Sequence, residues 1–272
     1  MSIYYNDKLI DEPFISPFVQ GFQYGLGVFE TVLVHSGSPM FLELHHQRLL
    51  KGCAKLGLKP DCTLEELRSR ALRLIDHLDI EEGRLKLVCF RDLEQDSTMI
   101  TLTPYKSPEE PWERGITIGI SSIKRNPYSP LTYIKSLNYA DNILARAEVN
   151  AHGYGEALFL NAYNKLCEGA MSNIFWVKES MVYTPDISCG ILEGITRGQI
   201  LALCADLGIK LEEGSYDLTE LLEAEEVFVT NSLMGLVPVH KVDNIVYNLS
   251  NYRLTKSLYN EYQRLLSREA GK

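Results

Sequence analysis

Ile134-Lys135-Ser136-Leu137-Asn138-Tyr139 is the stretch on whose reading the fold turns. It sets one lysine among apolar and uncharged residues, just ahead of a helical pattern that runs from about Tyr139 to Asn150. Desolvation favours the neutral amine, and a neutral amine is the nucleophile that a Schiff base needs. Taken alone, a surface lysine beside a helix start is the plainer reading of the segment. Its weight comes from what lies on either side of it.

Downstream, Leu166-Cys167-Glu168-Gly169-Ala170-Met171-Ser172-Asn173-Ile174-Phe175-Trp176 places an acid at a glycine-containing turn inside an apolar run. A carboxylate buried beside a pyridine nitrogen would keep that nitrogen protonated; a solvated turn glutamate is the plainer reading. Leu192-Glu193-Gly194-Ile195-Thr196-Arg197 opens a helix with free backbone N–H groups, a ready anion site, or one merely capped by Thr196. Phe228-Val229-Thr230-Asn231-Ser232-Leu233-Met234-Gly235 ends a strand in small hydroxyl and amide groups that could cradle phosphate or make an ordinary turn.

Upstream, Val28–Val34 is rich in β-formers and precedes the turn HSGSP. Leu42 to Leu56 has apolar residues at helical spacing. Thr63, with Glu66 three residues on, has the capping-box pattern of a second helix. Strands are expected at Arg84–Phe90 and Met99–Thr103. Pro104 to Arg114 (PYKSPEEPWER) holds three prolines and no periodicity, and is the candidate linker. Beyond it, strands are expected at 116–120, 157–160, 173–177, 182–184 and 226–230. Helices are expected at 196–207, ended by Gly208, and at 252–267. Helices and strands in two blocks give an α/β or α+β reading with two domains.

Composition excludes several classes. Of the 272 residues 45% are apolar, enough for a substantial core, and the formal net charge of −9 argues against binding to nucleic acid. No stretch approaches the roughly 18 apolar residues of a membrane span, and the opening MSIYYNDKLIDEP lacks the pattern of a leader. The six cysteines form no C-x-x-C and no metal-ligand spacing. The expectation is a reduced, cytoplasmic protein with buried thiols and no metal, with Cys167 a packing residue.

Read together, K-S-L-N, E-G-x-x-S-N-I-F, G-I-T-R and V-T-N-S-L-M-G-x-x-P-V follow G-x-G-V-F-E-T (Gly25–Thr31) and H-x-x-R-L (His45–Leu49). This ordered set resembles the fold type IV pyridoxal-phosphate enzymes, which include branched-chain and D-amino-acid aminotransferases and 4-amino-4-deoxychorismate lyases; it spans roughly residues 1 to 240. The resemblance implies a small N-terminal α/β domain (1–105), a linker (106–114) and a large C-terminal α/β domain (115–272) that binds pyridoxal 5′-phosphate. It implies that Lys135 holds the cofactor and shuttles protons, and that Glu168 pairs with the pyridine nitrogen. Arg48, the backbone N–H groups of Ile195 and Thr196, and Asn231 with Ser232 would bind the phosphate. Tyr139 would lie near the phenolic oxygen, Thr31 near the reacting face, and His45 would be structural. A small amino substrate and a homodimer are implied as well.

Within that class, N-S-L-M-G before P-V, together with N-I-F-W and F-E-T, resembles the aminodeoxychorismate lyases of folate biosynthesis. An aminotransferase for branched-chain or D-amino acids is the alternative, and a protein that binds the cofactor without turnover is a third. Many relatives carry R-G-x-x-x-R after the strand equivalent to Arg84–Phe90, a loop that helps recognise substrate carboxylates. Here the segment reads F-R-D-L-E-Q-D-S, keeping Arg91 but not the glycine or the second arginine.

Overall fold

The computed structural model describes residues 2–11, 15–60, 62–93, 95–107 and 111–271. Residues 108–110 of the expected linker lie outside the described residues, as do Glu94 of F-R-D-L-E-Q-D-S and residues 1 and 12–14 of the N-terminal stretch. The chain divides into two compact units. The first comprises the described residues of Met1–Ser107, Ile134–Asn138 and Leu266–Lys272, and the second those of Pro108–Tyr133 and Tyr139–Leu265. This differs from a division at 106–114 in two ways. Pro111–Arg114 is a short helix rather than linker, and the segment that carries Lys135 belongs to the first unit although its neighbours on both sides belong to the second.

The first unit is a six-stranded sheet among the described residues, with β1 (Ile3–Tyr5), β2 (Lys8–Ile10), β3 (Gly27–His35), β4 (Ser38–Pro39), β5 (Gly83–Arg91) and β6 (Asp96–Pro104) in the order β2-β1-β6-β5-β3-β4. Its helices are α1 (Gln20–Tyr24), α2 (Leu42–Leu56) and α3 (Leu64–Leu78). Side chains alternate between the faces of a strand. Val32, Val34, Leu85, Leu87, Ile100 and Leu102 therefore share one face, and they bury it against Leu42 of α2 and Leu67, Leu74 and Ile75 of α3. The capping box of Thr63 forms: its hydroxyl accepts from the Glu66 N–H and the Glu66 carboxylate accepts from the Thr63 N–H.

The second unit holds α4 (Pro111–Arg114), β7 (Ile116–Arg125), α5 (Ala140–Asn150), β8 (Glu156–Asn161), β9 (Leu166–Gly169), β10 (Asn173–Lys178), β11 (Met181–Pro185), α6 (Ile195–Asp206), β12 (Leu211–Gly214), α7 (Leu218–Leu222), β13 (Glu226–Asn231), β14 (Gly235–Val242) and β15 (Ile245–Val246). Its sheet runs β12-β11-β10-β13-β14-β7-β8-β9, with β15 added to β14. The terminal helix α8 (Leu254–Glu269) has its last residues in the first unit. The apolar core gathers Trp176, Tyr216, Val227, Val229 and Tyr252, and Phe175 stacks on Phe228 at 4.9 Å. Gly208 follows α6 with φ of 66°, a left-handed value that a glycine adopts without strain. β14 has no counterpart in the sequence expectation. Its Gly235-Leu236-Val237-Pro238 start has glycine and proline where a strand signal looks for neither.

Candidate active site

In the first unit, residues 134–138 are stapled to the start of β3. The Phe29 N–H donates to the Lys135 carbonyl (2.8 Å) and the Leu137 N–H to the Gly27 carbonyl (2.9 Å), with Val28 and Ser136 bridged antiparallel. This pairing sets Lys135 opposite Phe29, so its side chain takes the Phe29 face of the sheet, and the Lys135 amine lies over the Phe29 ring, 4.5 Å from its centre. Thr31 falls on the same face, two residues further along β3.

Glu30 points the other way, toward the helices, and is buried among apolar residues. An acid there requires partners, and α2 supplies two. Arg48 grips it with a fork, Nε to Oε1 at 2.7 Å and Nη2 to Oε2 at 2.6 Å, and His45 Nδ1 lies 2.7 Å from Oε2. Burial alone would raise the Glu30 carboxyl, but the charge and hydrogen bonds of Arg48, with His45, outweigh it and hold it at about 2. Burial pushes His45 down against the pull of Glu30, so a neutral ring donates its Nδ1–H to the carboxylate. Glu30 thus takes two of the five guanidinium donors of Arg48.

In the second unit Glu168 is buried at the end of β9. Its Oε1 accepts from Arg125 Nη2 (3.1 Å), and its Oε2 accepts from Asn173 Nδ2 (3.3 Å) and the Leu192 N–H (3.0 Å). Arg125 also donates to Asn142 Oδ1 (3.2 Å) and lies 4.1 Å over the Phe159 ring. The turn after Glu168 is gripped by Tyr139, whose hydroxyl donates to the Ala170 carbonyl (3.1 Å), and by Asn142 Nδ2 on the same oxygen (2.6 Å). Cys167 donates its S–H to the Cys189 carbonyl (3.0 Å), and burial pushes its thiol up, so it remains protonated.

Asn173 reaches further, to the Leu192 carbonyl (3.0 Å), and packs so closely on Gly194 that a β-carbon at 194 would fall on its Oδ1. Gly194 then opens α6, which has no side-chain cap and no acid in its first turn. The N–H groups of Ile195 and Thr196 therefore face the start of the helix with its positive dipole end unneutralised. The Thr196 hydroxyl is buried without a hydrogen-bond partner among the described residues, although the Tyr262 phenol is close enough to feel it. Thr230, cross-strand from Asn173, has a second such hydroxyl. Two buried hydroxyls, that of Thr196 with only the Tyr262 phenol near it and that of Thr230 without a partner among the described residues, lie with an uncapped helix start as donors that suit a phosphate and fit pyridoxal phosphate. Asn231 shapes the adjoining turn: its Oδ1 accepts from the Leu233 and Met234 N–H groups (3.0 and 2.8 Å) and its Nδ2 donates to the Met171 carbonyl (3.1 Å), leaving Ser232 on the turn it builds. Arg197 of the same motif is buried and bonds the Pro185 carbonyl (3.0 Å) and Glu213, fastening α6 to its neighbours.

Glu30, Arg125, Asn142 and Asn173 were not singled out in the sequence. Glu30 carried a usable signal, since an acid in phase with Val28, Val32 and Val34 sits on an apolar face. Arg125 carried none, being 43 positions from the carboxylate that it holds. Among the described residues no group of His, Cys, Asp and Glu could hold a metal, and no helix is long and apolar enough to cross a membrane.

Residues 27–242 match the family described as amino-transferase class IV. The chain is similar to the aminodeoxychorismate lyase of Bacillus subtilis (strain 168), 29% identical over 96% of this chain and 94% of that protein. It is similar also to the D-alanine aminotransferase of Bacillus licheniformis, 29% identical over 89% of each. Among solved structures, the branched-chain aminotransferase of Thermoproteus uzoniensis with norvaline superposes with a TM-score of 0.92 at 27% identity, over 99% of this chain and 95% of that one.

Proposed function

The chain belongs to the amino-transferase class IV family, and from that premise we propose that it is a 4-amino-4-deoxychorismate lyase, forming 4-aminobenzoate and pyruvate. It is an enzyme dependent on pyridoxal 5′-phosphate. Lys135 would hold the cofactor and Glu168 would face its ring nitrogen. Arg48, the N–H groups of Ile195 and Thr196, and the turn at Asn231 and Ser232 would hold its phosphate, with Tyr139 bracing the turn after Glu168. Bound there, the cofactor supplies a sink for electrons released from the substrate.

The observation that carries the lyase reading is the hydroxyl of Thr31 on the Lys135 face of the sheet. Elimination requires a proton to be taken from a ring carbon and a proton to be returned to the departing three-carbon fragment. On this reading the Lys135 amine would take the first, and Thr31, on the same face, would relay the second. Nothing is oxidised or reduced, so turnover needs no 2-oxo acid acceptor. Purified holoenzyme should release pyruvate and 4-aminobenzoate in equal amounts from aminodeoxychorismate alone. The likeness to a branched-chain aminotransferase favours a second reading. Turnover of branched-chain or D-amino acids that depends on 2-oxoglutarate, with no pyruvate from aminodeoxychorismate, would establish it in place of the first.

The protein acts, on this reading, as a cytoplasmic homodimer in the synthesis of 4-aminobenzoate for folate. Phe18, Phe22 and Tyr24, which are 70%, 74% and 71% exposed, offer an aromatic surface for a second copy to cover.

A further inference from the structure

The segment Glu168-Gly169-Ala170-Met171-Ser172-Asn173, in the second unit, carries the candidate site at both ends. Glu168 stands at one end. At the other, Asn173 donates to Glu168 Oε2 and to the Leu192 carbonyl and fills the space over Gly194. Whatever holds the four residues between them therefore sets where both groups lie. The Gly169 N–H donates to the Ser172 carbonyl (2.7 Å), closing the turn, and the Ala170 N–H donates to the Ala157 carbonyl on β8 (2.8 Å). Tyr139 and Asn142 take the Ala170 carbonyl, and Asn231 takes that of Met171.

Two further donors of the turn go to a single oxygen. Glu156, at the start of β8, accepts with its Oε2 from the Met171 N–H (3.2 Å) and the Ser172 hydroxyl (2.9 Å), while its Oε1 accepts from the Ala157 N–H (2.9 Å). A β-carbon at 169 would fall on the Ser172 hydroxyl and crowd the Glu156 carboxyl. The glycine and the serine of E-G-x-x-S-N thus both answer to a carboxylate that the motif does not contain. Glu156 is only 4% exposed, and the residues after it, Ala157, Leu158 and Phe159, are buried and apolar. Burial raises its carboxyl, and the hydrogen bonds of Ala157, Ser172 and Met171, with the charge of Arg146, offset this only in part. An acid buried at such a cost adds nothing to the apolar packing of the strand; what it holds is the turn.

We propose that Glu156 is a positioning residue for the cofactor. By tying Met171 and Ser172 to β8 it fixes Glu168 where it meets the ring nitrogen and Asn173 where it supports the start of α6. It acts through those two residues. The inference rests on the reading of Glu168 as the partner of the ring nitrogen, and it holds for elimination and transamination alike.

The test loads parent and variant enzymes with pyridoxal phosphate isotopically labelled at the ring nitrogen. The NMR chemical shift of that nitrogen reports its protonation. Glu168→Gln should move the signal toward that of an unprotonated pyridine. Glu156→Ala should move it part of the way in the same direction and weaken cofactor binding in equilibrium dialysis by roughly tenfold, the effect of an unpaired buried donor. In the apoenzyme it should speed amide exchange at Met171. Glu156→Gln keeps an oxygen for the turn and should recover most of all three, which a general loss of packing would not predict. Should Glu156→Ala fail to fold, Ser172→Ala removes one of the donors and leaves the carboxylate in place, and it should show the same changes in smaller measure. A shifted signal in Glu168→Gln beside a parent-like signal in Glu156→Ala, or in Ser172→Ala where that variant decides, would overturn the inference alone. A parent-like signal in Glu168→Gln would overturn the reading of Glu168, and this inference with it.

Discussion

Glu30 shows how one residue on the wrong face of a strand organises its surroundings. Its neighbours in phase are valines and leucines, so the carboxylate is tolerated only because α2 brings Arg48 and His45 to it. With its pKa depressed from an ordinary 4.5 to about 2, the carboxylate contributes stability that is fully present above about pH 5 and is lost as pH falls through 4.5 toward 2. The size is roughly 3 kcal/mol. His45 acts in the same direction: depressed in the folded state, it disfavours folding as the unfolded ring takes a proton below its ordinary 6.5. Urea melts from pH 7 to pH 3 should therefore show stability declining in two stages. In Glu30→Gln the stage below pH 5 should flatten, and stability at pH 7 should fall by roughly 3 kcal/mol, since Arg48 loses its counter-ion. Parallel curves for parent and variant below pH 5 would show that Glu30 does not titrate as its pairing requires.

At the scale of elements, the start of α6 is the feature most exposed to a single change. Gly194 is required by close approach, because Asn173 occupies the space of a β-carbon while it holds both Glu168 and the Leu192 carbonyl. Gly194→Ala should displace Asn173 and tilt the first turn of the helix, weakening cofactor binding by roughly tenfold or more. Gly198, one turn on, has nothing within 4 Å of its would-be β-carbon, so Gly198→Ala should bind cofactor normally and gain about 0.5–1 kcal/mol from helix propensity. Equal cofactor affinities in the two variants would remove the helix start from the phosphate site. Elements whose periodicity was strong, such as α2, α3 and β3, were legible in the sequence nearly to their ends. Their burial pattern is set by residues three or four apart, or two apart, along one segment.

For the whole molecule, the placing of residues 134–138 in the first unit matters most. The segment supplies the backbone partners of Gly27 and Phe29, so a fragment ending at Ser107 would leave the start of β3 as an open edge. Such a fragment should be markedly less stable than the same strands in the intact chain. The check is amide exchange at Phe29, where the N–H that donates to the Lys135 carbonyl should lose its protection in the fragment. Retained protection would mean that the segment adds little to the fold of that unit.

The sequence by itself determined the family, and it singled out Lys135, Glu168 and the helix start at Gly194 as candidates, because these are carried by short motifs whose chemistry depends on adjacent residues. It also settled the helices and most strands, whose apolar period is a local property. Only the tertiary structure decided that Arg125 holds Glu168, that Glu30 rather than an open site takes the fork of Arg48, and that the Lys135 segment is an insertion into the first unit. Each of these is a meeting of side chains or backbone groups far apart in the chain. Strand register brings them together, and no local pattern records register when the paired strands are separated by a hundred residues of other structure.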